Sequence, residues 1–414
     1  LREGGRVLRW RIAQRRAGGM TQGEDRAVPA AEIAWLRREG LAGLVLRDAA
    51  LTLCTAGLYR FWGRAAWRRH VWSRVALRGD PLEFAGTGLD GFKGFLLGLA
   101  LFAPLLGAID LAGRFAATRG LVPLVLAKLA YAAALLTMLG AMRFLRLRYL
   151  IAGTRWRGVS PALDARLLDY ARVVAPLQAL NALALFALSP WVWQRRHAWL
   201  IGRLRLGEAR GAGTPDWRPL VLPWAGVWVS GAVALACLAS WTLAAAQRSG
   251  QAPAGLPVPP VVAPGWVAAL ALAAALACLA AYRMAAWRTL AVALRLGPAR
   301  LSSHARPGFA AGRALLAVLV FAAVLAAGLA CAGALLMPVP RGVPQILGAA
   351  WAVLGAIVAV AALALARDAF FRPSAIAHFV ATLELHDGAA LDDIVAPPAS
   401  PGAGGWGRID VAAG

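Results

Sequence analysis

An all-α polytopic membrane protein carrying short cytoplasmic β-strands is the fold class that three features of this 414-residue chain predict. Its apolar residues gather into runs of about 20, the length that crosses roughly 30 Å of hydrocarbon at about 1.5 Å per residue. Only 15% of residues are charged and 60% are hydrophobic, against roughly 25% charged in a soluble domain. The net charge of +24 sits between the apolar runs, where positive-inside loops put it. That placement argues against nucleic acid as the partner and for a lipid bilayer.

Residues 1–40 are polar and basic without an apolar core, so no cleavable signal peptide is expected. Met20 is a candidate start, which leaves residues 1–19 outside the expected fold. Six runs suit spanning helices: Phe95–Gly113, Leu121–Ala141, Leu220–Ala246, Val261–Ala281, Ala314–Met337 and Leu347–Ala366. They pair as three hairpins, 95–141, 220–281 and 314–366, with short outer connections. Trp217, Trp224, Trp241, Trp266 and Trp351 lie near run ends and read as interfacial anchors.

Two further runs read as re-entrant or interfacial segments. Leu41–Tyr59 contains Arg47 and Asp48, and Val173–Trp193 contains Pro176, Gln178, Asn181 and Pro190. A charge at the centre of a spanning helix costs about 2.5–3.5 kcal/mol on insertion scales. Loop charge decides between six spans and the alternative of eight. Lys and Arg number 7 in 60–94, 7 in 142–172, 6 in 194–219 and 6 in 282–313, but only 2 in 114–120 and 1 in 247–260. Six spans put every basic loop on the cytoplasmic side of a bacterial inner membrane, with both termini there. Eight spans put 60–94 and 142–172 outside.

The loops repeat one another. Arg68-Arg69-His70 recurs as Arg195-Arg196-His197, and Leu77-Arg78-Gly79, Leu204-Arg205-Leu206-Gly207 and Leu294-Arg295-Leu296-Gly297 share an ending, with Thr154-Arg155-Trp156-Arg157-Gly158 as a fourth copy. The pattern predicts a helix leaving the membrane, a tight turn at Gly and a short hairpin strand. Together with an alternating stretch, His378–Leu385, these strands are expected to form one small sheet. The tail, 367–414, is expected to be cytoplasmic and disordered after about 397, where Pro, Gly and Ala dominate.

Thr55-Ala56-Gly57-Leu58-Tyr59-Arg60-Phe61-Trp62, followed by the Arg-Arg-His cluster, resembles the signature of the YjgN-like family of uncharacterised bacterial inner-membrane proteins (domain of unknown function 898). Phe84–Gly88 with Phe92-Lys93-Gly94, Thr154–Gly158 and the tail from Phe379 are similar to it too, in order along most of the chain. Val173–Trp193 and Gly328–Pro340 keep only fragments. The resemblance implies a multi-pass inner-membrane protein and supplies no active-site residues.

Chemistry is sparse. The histidines show no metal-ligand spacing, Cys54, Cys237, Cys278 and Cys331 lie in apolar runs without a C-x-x-C, and no nucleophile–base or paired-carboxylate pattern stands out. Neither catalysis, a metal nor a cofactor is expected. Gly86–Gly91 fits G-x-G-x-x-G, but the helix after it is a membrane span, which argues against a dinucleotide site. Its backbone amides, near Arg68, Arg69 and Arg74, are instead a candidate site for an anionic lipid headgroup, with Arg195 and Arg196 as a second. Asp110 and Lys128, on the two arms of the first hairpin, are a candidate intramembrane charge pair. Two function classes follow: transport of a small solute, and a non-catalytic membrane scaffold or anionic-lipid-interacting protein.

Overall fold

The structure, a computed structural model, describes residues 32–36, 38–248, 264–336, 361 and 364–391. Strand β1 (Ile33–Trp35) precedes helices α1 (Leu41–Cys54) and α2 (Arg60–Trp72), followed by the hairpin β2 (Val75–Leu77) and β3 (Asp80–Pro81). Strand β4 (Glu83–Phe84) leads into α3 (Gly88–Ala117), which returns as α4 (Leu121–Gly153). Strands β5 (Thr154–Arg155) and β6 (Ala162–Leu163) then introduce a second helix pair, α5 (Leu167–Leu183) and α6 (Ser189–Ile201). A second hairpin follows, β7 (Leu204–Leu206) and β8 (Ala209–Ala212), and then the long helices α7 (Arg218–Arg248) and α8 (Gly265–Ala293). A third hairpin, β9 (Arg295–Leu296) and β10 (Ala299–Ser303), leads to α9 (Pro307–Leu336). A π-helical turn (Arg367–Phe371), α10 (Arg372–Ala381) and β11 (Leu383–His386) come after residue 361.

Four of the described helices, α3, α4, α7 and α8, are long and apolar enough to cross a membrane. Their apolar side chains point away from the protein: Leu222 is 83% exposed, Leu121 75% and Leu111 69%. Leaving such side chains in water forgoes about 1.5–3 kcal/mol each, so the solvent that suits these faces is hydrocarbon. This is a helical membrane protein. The helices outrun the apolar runs at one end. Helix α4 continues twelve residues past Ala141, through Arg143, Arg146 and Arg148, because long Arg stems lie along the helix while their heads reach the interface. The fifth apolar run is helical within α9. The sixth, Leu347–Ala366, lies outside the described residues except for 361 and 364–366, as do residues 1–31, the connections 249–263 and 337–360, and the tail from 392.

Each run read as re-entrant or interfacial is a pair of helices joined by a left-handed break. Ala56 and Gly57 have φ of 49° and 90° between α1 and α2; Leu185 and Phe186 have 51° and 65° between α5 and α6. Positive φ at a residue other than Gly is costly and halts a right-handed helix. The pieces have 14, 13, 17 and 13 residues. The longest therefore extends about 25 Å.

The hairpin turns follow the right-handed twist of paired strands. Arg78-Gly79 and Arg157-Gly158 have positive φ at both central positions, as a type I′ turn needs, whereas in Gly207-Glu208 and Gly297-Pro298 only the leading Gly does. The strands make three sheets and not the single one expected. Six run in the order β11-β10-β9-β8-β7-β6, three as β1-β2-β3, and β4 pairs with β5, all antiparallel. The first copy is diverted because β1 covers β2 (Ile33 opposite Leu77). The tail reading is corrected too. His378–Ala381 closes α10, and the strand starts only at Leu383. Trp156, Ala299 and Leu391 form a buried cluster joined by Leu77, Leu82, Leu296 and Leu385, so hydrophobic contact ties the sheets together.

The two broken helix pairs are spaced differently from the basic motifs that they carry. From α1–α2 to α5–α6, helix starts (Arg60 to Ser189), breaks (Ala56 to Leu185) and strands (Val75 to Leu204) all recur after 129 residues, whereas the Arg-Arg-His clusters recur after 127.

Candidate functional site

The first basic cluster is held by the protein itself. Arg69 Nη2 donates to Gly86 O at 3.1 Å. The Arg68 guanidinium lies over the Phe84 and Tyr149 rings at 5.7 and 5.4 Å, and the Tyr149 hydroxyl donates to Thr87 O at 2.8 Å. Burial pushes Arg68 below the ordinary arginine range. The α3 N-terminus carries a capping box: Asp90 N donates to Thr87 Oγ1 at 3.2 Å, and Asp90 Oδ2 accepts from Thr87 N at 3.1 Å. A carboxylate of the chain thus occupies the place an external anion would take at this helix end. Arg74 stands apart. It donates to Arg38 O, meets His70 Nε2 at 2.9 Å and lies over Trp35.

The second cluster is split by the helix that carries it. Arg196 points inward beside Tyr170; burial, and then the like charge of Arg143, hold its pKa below the arginine norm. Beside it, burial and the Arg196 charge pull His197 down to about 3, and its Nδ1 lies 2.7 Å from Trp193 O, which fixes a neutral Nδ1–H ring. Arg195 points outward over the Trp191 ring at 5.4 Å. None of Arg68, Arg69, Arg195 and Arg196 has a carboxylate within 4 Å among the described residues.

Asp110 and Lys128 meet across the α3–α4 hairpin. Lys128 Nζ is 3.9 Å from Asp110 Oδ1, and Arg114, which the sequence reading left out, is closer, with Nε 3.0 Å from Oδ2. All three are open to the surroundings rather than lining an internal path; Lys128 is 61% and Arg114 79% exposed at the side chain.

Sequence reasoning missed what surrounds the second break. Trp228 Nε1 donates to Leu185 O at 2.8 Å and Trp224 Nε1 to Phe186 O at 2.9 Å. Trp224 is therefore a partner for freed backbone carbonyls and not the headgroup anchor its run-end position suggested. The spacing Trp224-x-x-x-Trp228 was the available signal, since residues four apart share a helix face. Asn181 Nδ2 donates to Ser189 Oγ at 3.0 Å, and Ser189 Oγ donates to Phe186 O at 2.7 Å. The first break is served from within: Thr55 Oγ1 accepts from Tyr59 N at 2.9 Å, and Thr52 Oγ1 donates to Asp48 O at 2.6 Å. Asp48 itself is buried against Gly63 and paired with Arg47 at 3.0 Å.

Between the second break and α7 lies an apolar groove of about 570 Å³, walled by Leu180, Pro190, Trp191, Val221, Trp224 and Trp228. Trp191 also walls a neighbouring hollow of about 480 Å³ that contains Arg172, Arg195 and Trp199. Among the described residues, no three His, Cys, Asp or Glu side chains gather to hold a metal ion.

Residues 37–329 match the family described as "Bacterial protein of unknown function (DUF898)". The match takes in both broken helix pairs, the three hairpins and all four long apolar helices, and the chain belongs to this family. No curated protein and no solved structure matches.

Proposed function

We propose that this family member is a non-catalytic, multi-pass protein of the bacterial inner membrane that interacts with anionic lipid headgroups from its cytoplasmic side. Strand pairing supports the topology. A sheet cannot straddle a bilayer, because its edges and loops would leave backbone groups unsatisfied in hydrocarbon. The chain therefore crosses an even number of times between any two strands of one sheet. Strands β6 and β7 pair, so α5 and α6 together cross twice or not at all. A 13-residue helix extends about 20 Å, too short for roughly 30 Å of hydrocarbon. The pair enters and returns. Pairing of β1 with β2 gives the same answer for α1 and α2. Six spans, with the sixth run as the last, place all the basic loops together.

The observation that carries the lipid reading is the set of arginines at the bases of the two re-entrant pairs that have no carboxylate within 4 Å among the described residues. Cations held at headgroup depth without an acid to neutralise them attract anionic lipid, at about 1 kcal/mol per residue near the surface. Solute transport is the second reading, and Asp110 with Lys128 favours it, since charges within spans often mark ion or substrate paths. The outward exposure of that pair and the tryptophan lining of the apolar groove beside the second break favour lipid.

The test is to purify the full chain in mild detergent and compare its melting temperature with added phosphatidylglycerol or phosphatidylcholine. Stabilisation by phosphatidylglycerol alone, lost when Arg68, Arg69 and Arg195 are changed together to Gln, is the expected result. Equal stabilisation by both lipids removes the reading.

A further inference from the structure

We infer that the tryptophan-walled groove beside the second break and the basic hollow next to it form one site for a single anionic phospholipid. The acyl chain lies in the groove and the phosphate sits at Arg195 and Arg172. The inference rests on the lipid-interacting reading above and assigns it a site.

Depth is the first argument. Trp228, which holds the break, is ten residues into α7 from Arg218, about 15 Å along its axis and so about half of the hydrocarbon thickness. Arg172 lies eleven residues before the end of α5, and Arg195 six residues after the start of α6. With the break at mid-membrane, both guanidinium groups therefore fall roughly 10–15 Å nearer the interface. The groove occupies acyl-chain depth and the hollow headgroup depth.

Continuity and charge are the second and third. Trp191 walls both cavities, so they adjoin at that ring. Its ring also carries the Arg195 guanidinium at 5.4 Å, which orients that charge over the boundary. Arg172 has a weak partner in Asp169 at 3.8 Å, and both are largely exposed. Arg195 has no carboxylate within 4 Å among the described residues. The hollow thus keeps a net positive charge suited to a phosphodiester, and guanidinium pairs with phosphate through two parallel hydrogen bonds. The groove volume lies within the 300–1,000 Å³ range of small-molecule sites, and its walls suit a hydrocarbon chain.

Native mass spectrometry of the detergent-purified full chain, titrated with dioleoyl-phosphatidylglycerol, tests this. Two variants act on opposite ends of the site: Ala225→Phe fills the groove from an exposed position on α7, and Arg172→Gln with Arg195→Gln neutralises the hollow. Wild type is expected to take up one phosphatidylglycerol about tenfold more tightly than phosphatidylcholine, or ~1.4 kcal/mol. The Gln pair should erase that preference. Ala225→Phe should weaken dioleoyl-phosphatidylglycerol but leave short-chain dihexanoyl-phosphatidylglycerol unchanged, an outcome that general misfolding cannot produce. A headgroup preference insensitive to both variants overturns the site while leaving the broader reading intact. Absence of any preference in the wild type overturns both.

Discussion

Replacing Trp228 by Phe should destabilise the second broken helix pair more than replacing Trp224, and the reason is local. A left-handed break frees backbone carbonyls that an unbroken helix would have satisfied, and in hydrocarbon no water replaces them. Phe186 O has three donors: Trp224 Nε1 at 2.9 Å, Ser189 Oγ at 2.7 Å and Ser189 N at 3.3 Å. Among the described residues Leu185 O has Trp228 Nε1 alone, at 2.8 Å. Trp224→Phe therefore removes one bond of several, at about 0.6 kcal/mol, a typical value for a side-chain bond in a membrane. Trp228→Phe leaves a carbonyl unpaired, which costs about 1–3 kcal/mol. Packing predicts the opposite order. Trp224 is more buried and packs tilted against the Tyr282 ring at 5.2 Å, whereas Trp228 is 43% exposed. Hydrogen exchange of residues 181–189 in lipid nanodiscs, read alongside the melting temperature, separates the two. Faster exchange and a lower melting temperature for Trp228→Phe support the carbonyl argument. The reverse order, or equal effects, refutes it.

Gly88→Ala should lower stability by about 1–3 kcal/mol, because an added Cβ would come within 2.6 Å of the Trp62 Cα, a backbone atom that cannot swing aside; a melting temperature equal to wild type would contradict this packing of α2 on α3. His197, held near 3 by burial and then by Arg196, is neutral in the native state, whereas an unfolded histidine titrates at about 6.5. Its contribution to stability is present in full above that value and declines as pH falls towards 3. Melting temperatures across that window should fall in the wild type and less steeply in His197→Gln. Cysteines introduced at Glu83, Glu208 and Ser302 should react with an impermeant maleimide from the cytoplasmic side alone, and labelling of any one from the opposite side would break the shared-sheet topology. In vesicles, Asp110→Asn should leave ion and solute fluxes at wild-type levels, whereas loss of a wild-type flux would favour the transport reading over the lipid one.

Membrane class was legible because it depends on composition and run length alone. The α3, α4, α7 and α8 spans follow from runs of about 20 apolar residues, and their boundaries differ from the helix ends because the arginines of 142–153 remain helical. The breaks left a partial trace. Pro176 and Pro190 marked the second segment as irregular, yet Pro176 lies within α5, and the break falls at Leu185-Phe186, two residues that carry no turn signal. There the conformation is imposed by tertiary partners, Trp224 and Trp228, which a local reading cannot see. The charge pair at Asp110 and Lys128 was legible from antiparallel hairpin geometry, but Arg114, one helical turn away, was overlooked although i,i+4 spacing announces it. The groove had no linear signature, since its walls come from α5, α6 and α7.

The two-residue slip between motif and architecture sets the second broken pair apart from the first and bears on the proposed lipid site. At a spacing of 129 residues, the buried stripe Gly63, Trp67, Val71 of α2 corresponds to Val192, Arg196, Leu200 of α6. Arg196 thus stands where Trp67 fills the first unit. Trp67 reaches Asp368 O at 2.8 Å and packs with Leu41, Val45 and Val71, closing that unit against the segment 365–376. In the second unit the inward position is taken by a guanidinium beside Tyr170, while Phe144, Tyr170, Val174 and Leu200 make the hydrophobic contact with α4. A step of two residues rotates a helix position by about 200°, so the adjacent Arg195 is carried to the outer face over Trp191. The same three letters that lie against strand and helix in the first unit therefore present, beside an apolar groove in the second, a cation that has no carboxylate within 4 Å among the described residues. The different spacing of the basic motif and of the helix breaks distinguishes the two units chemically.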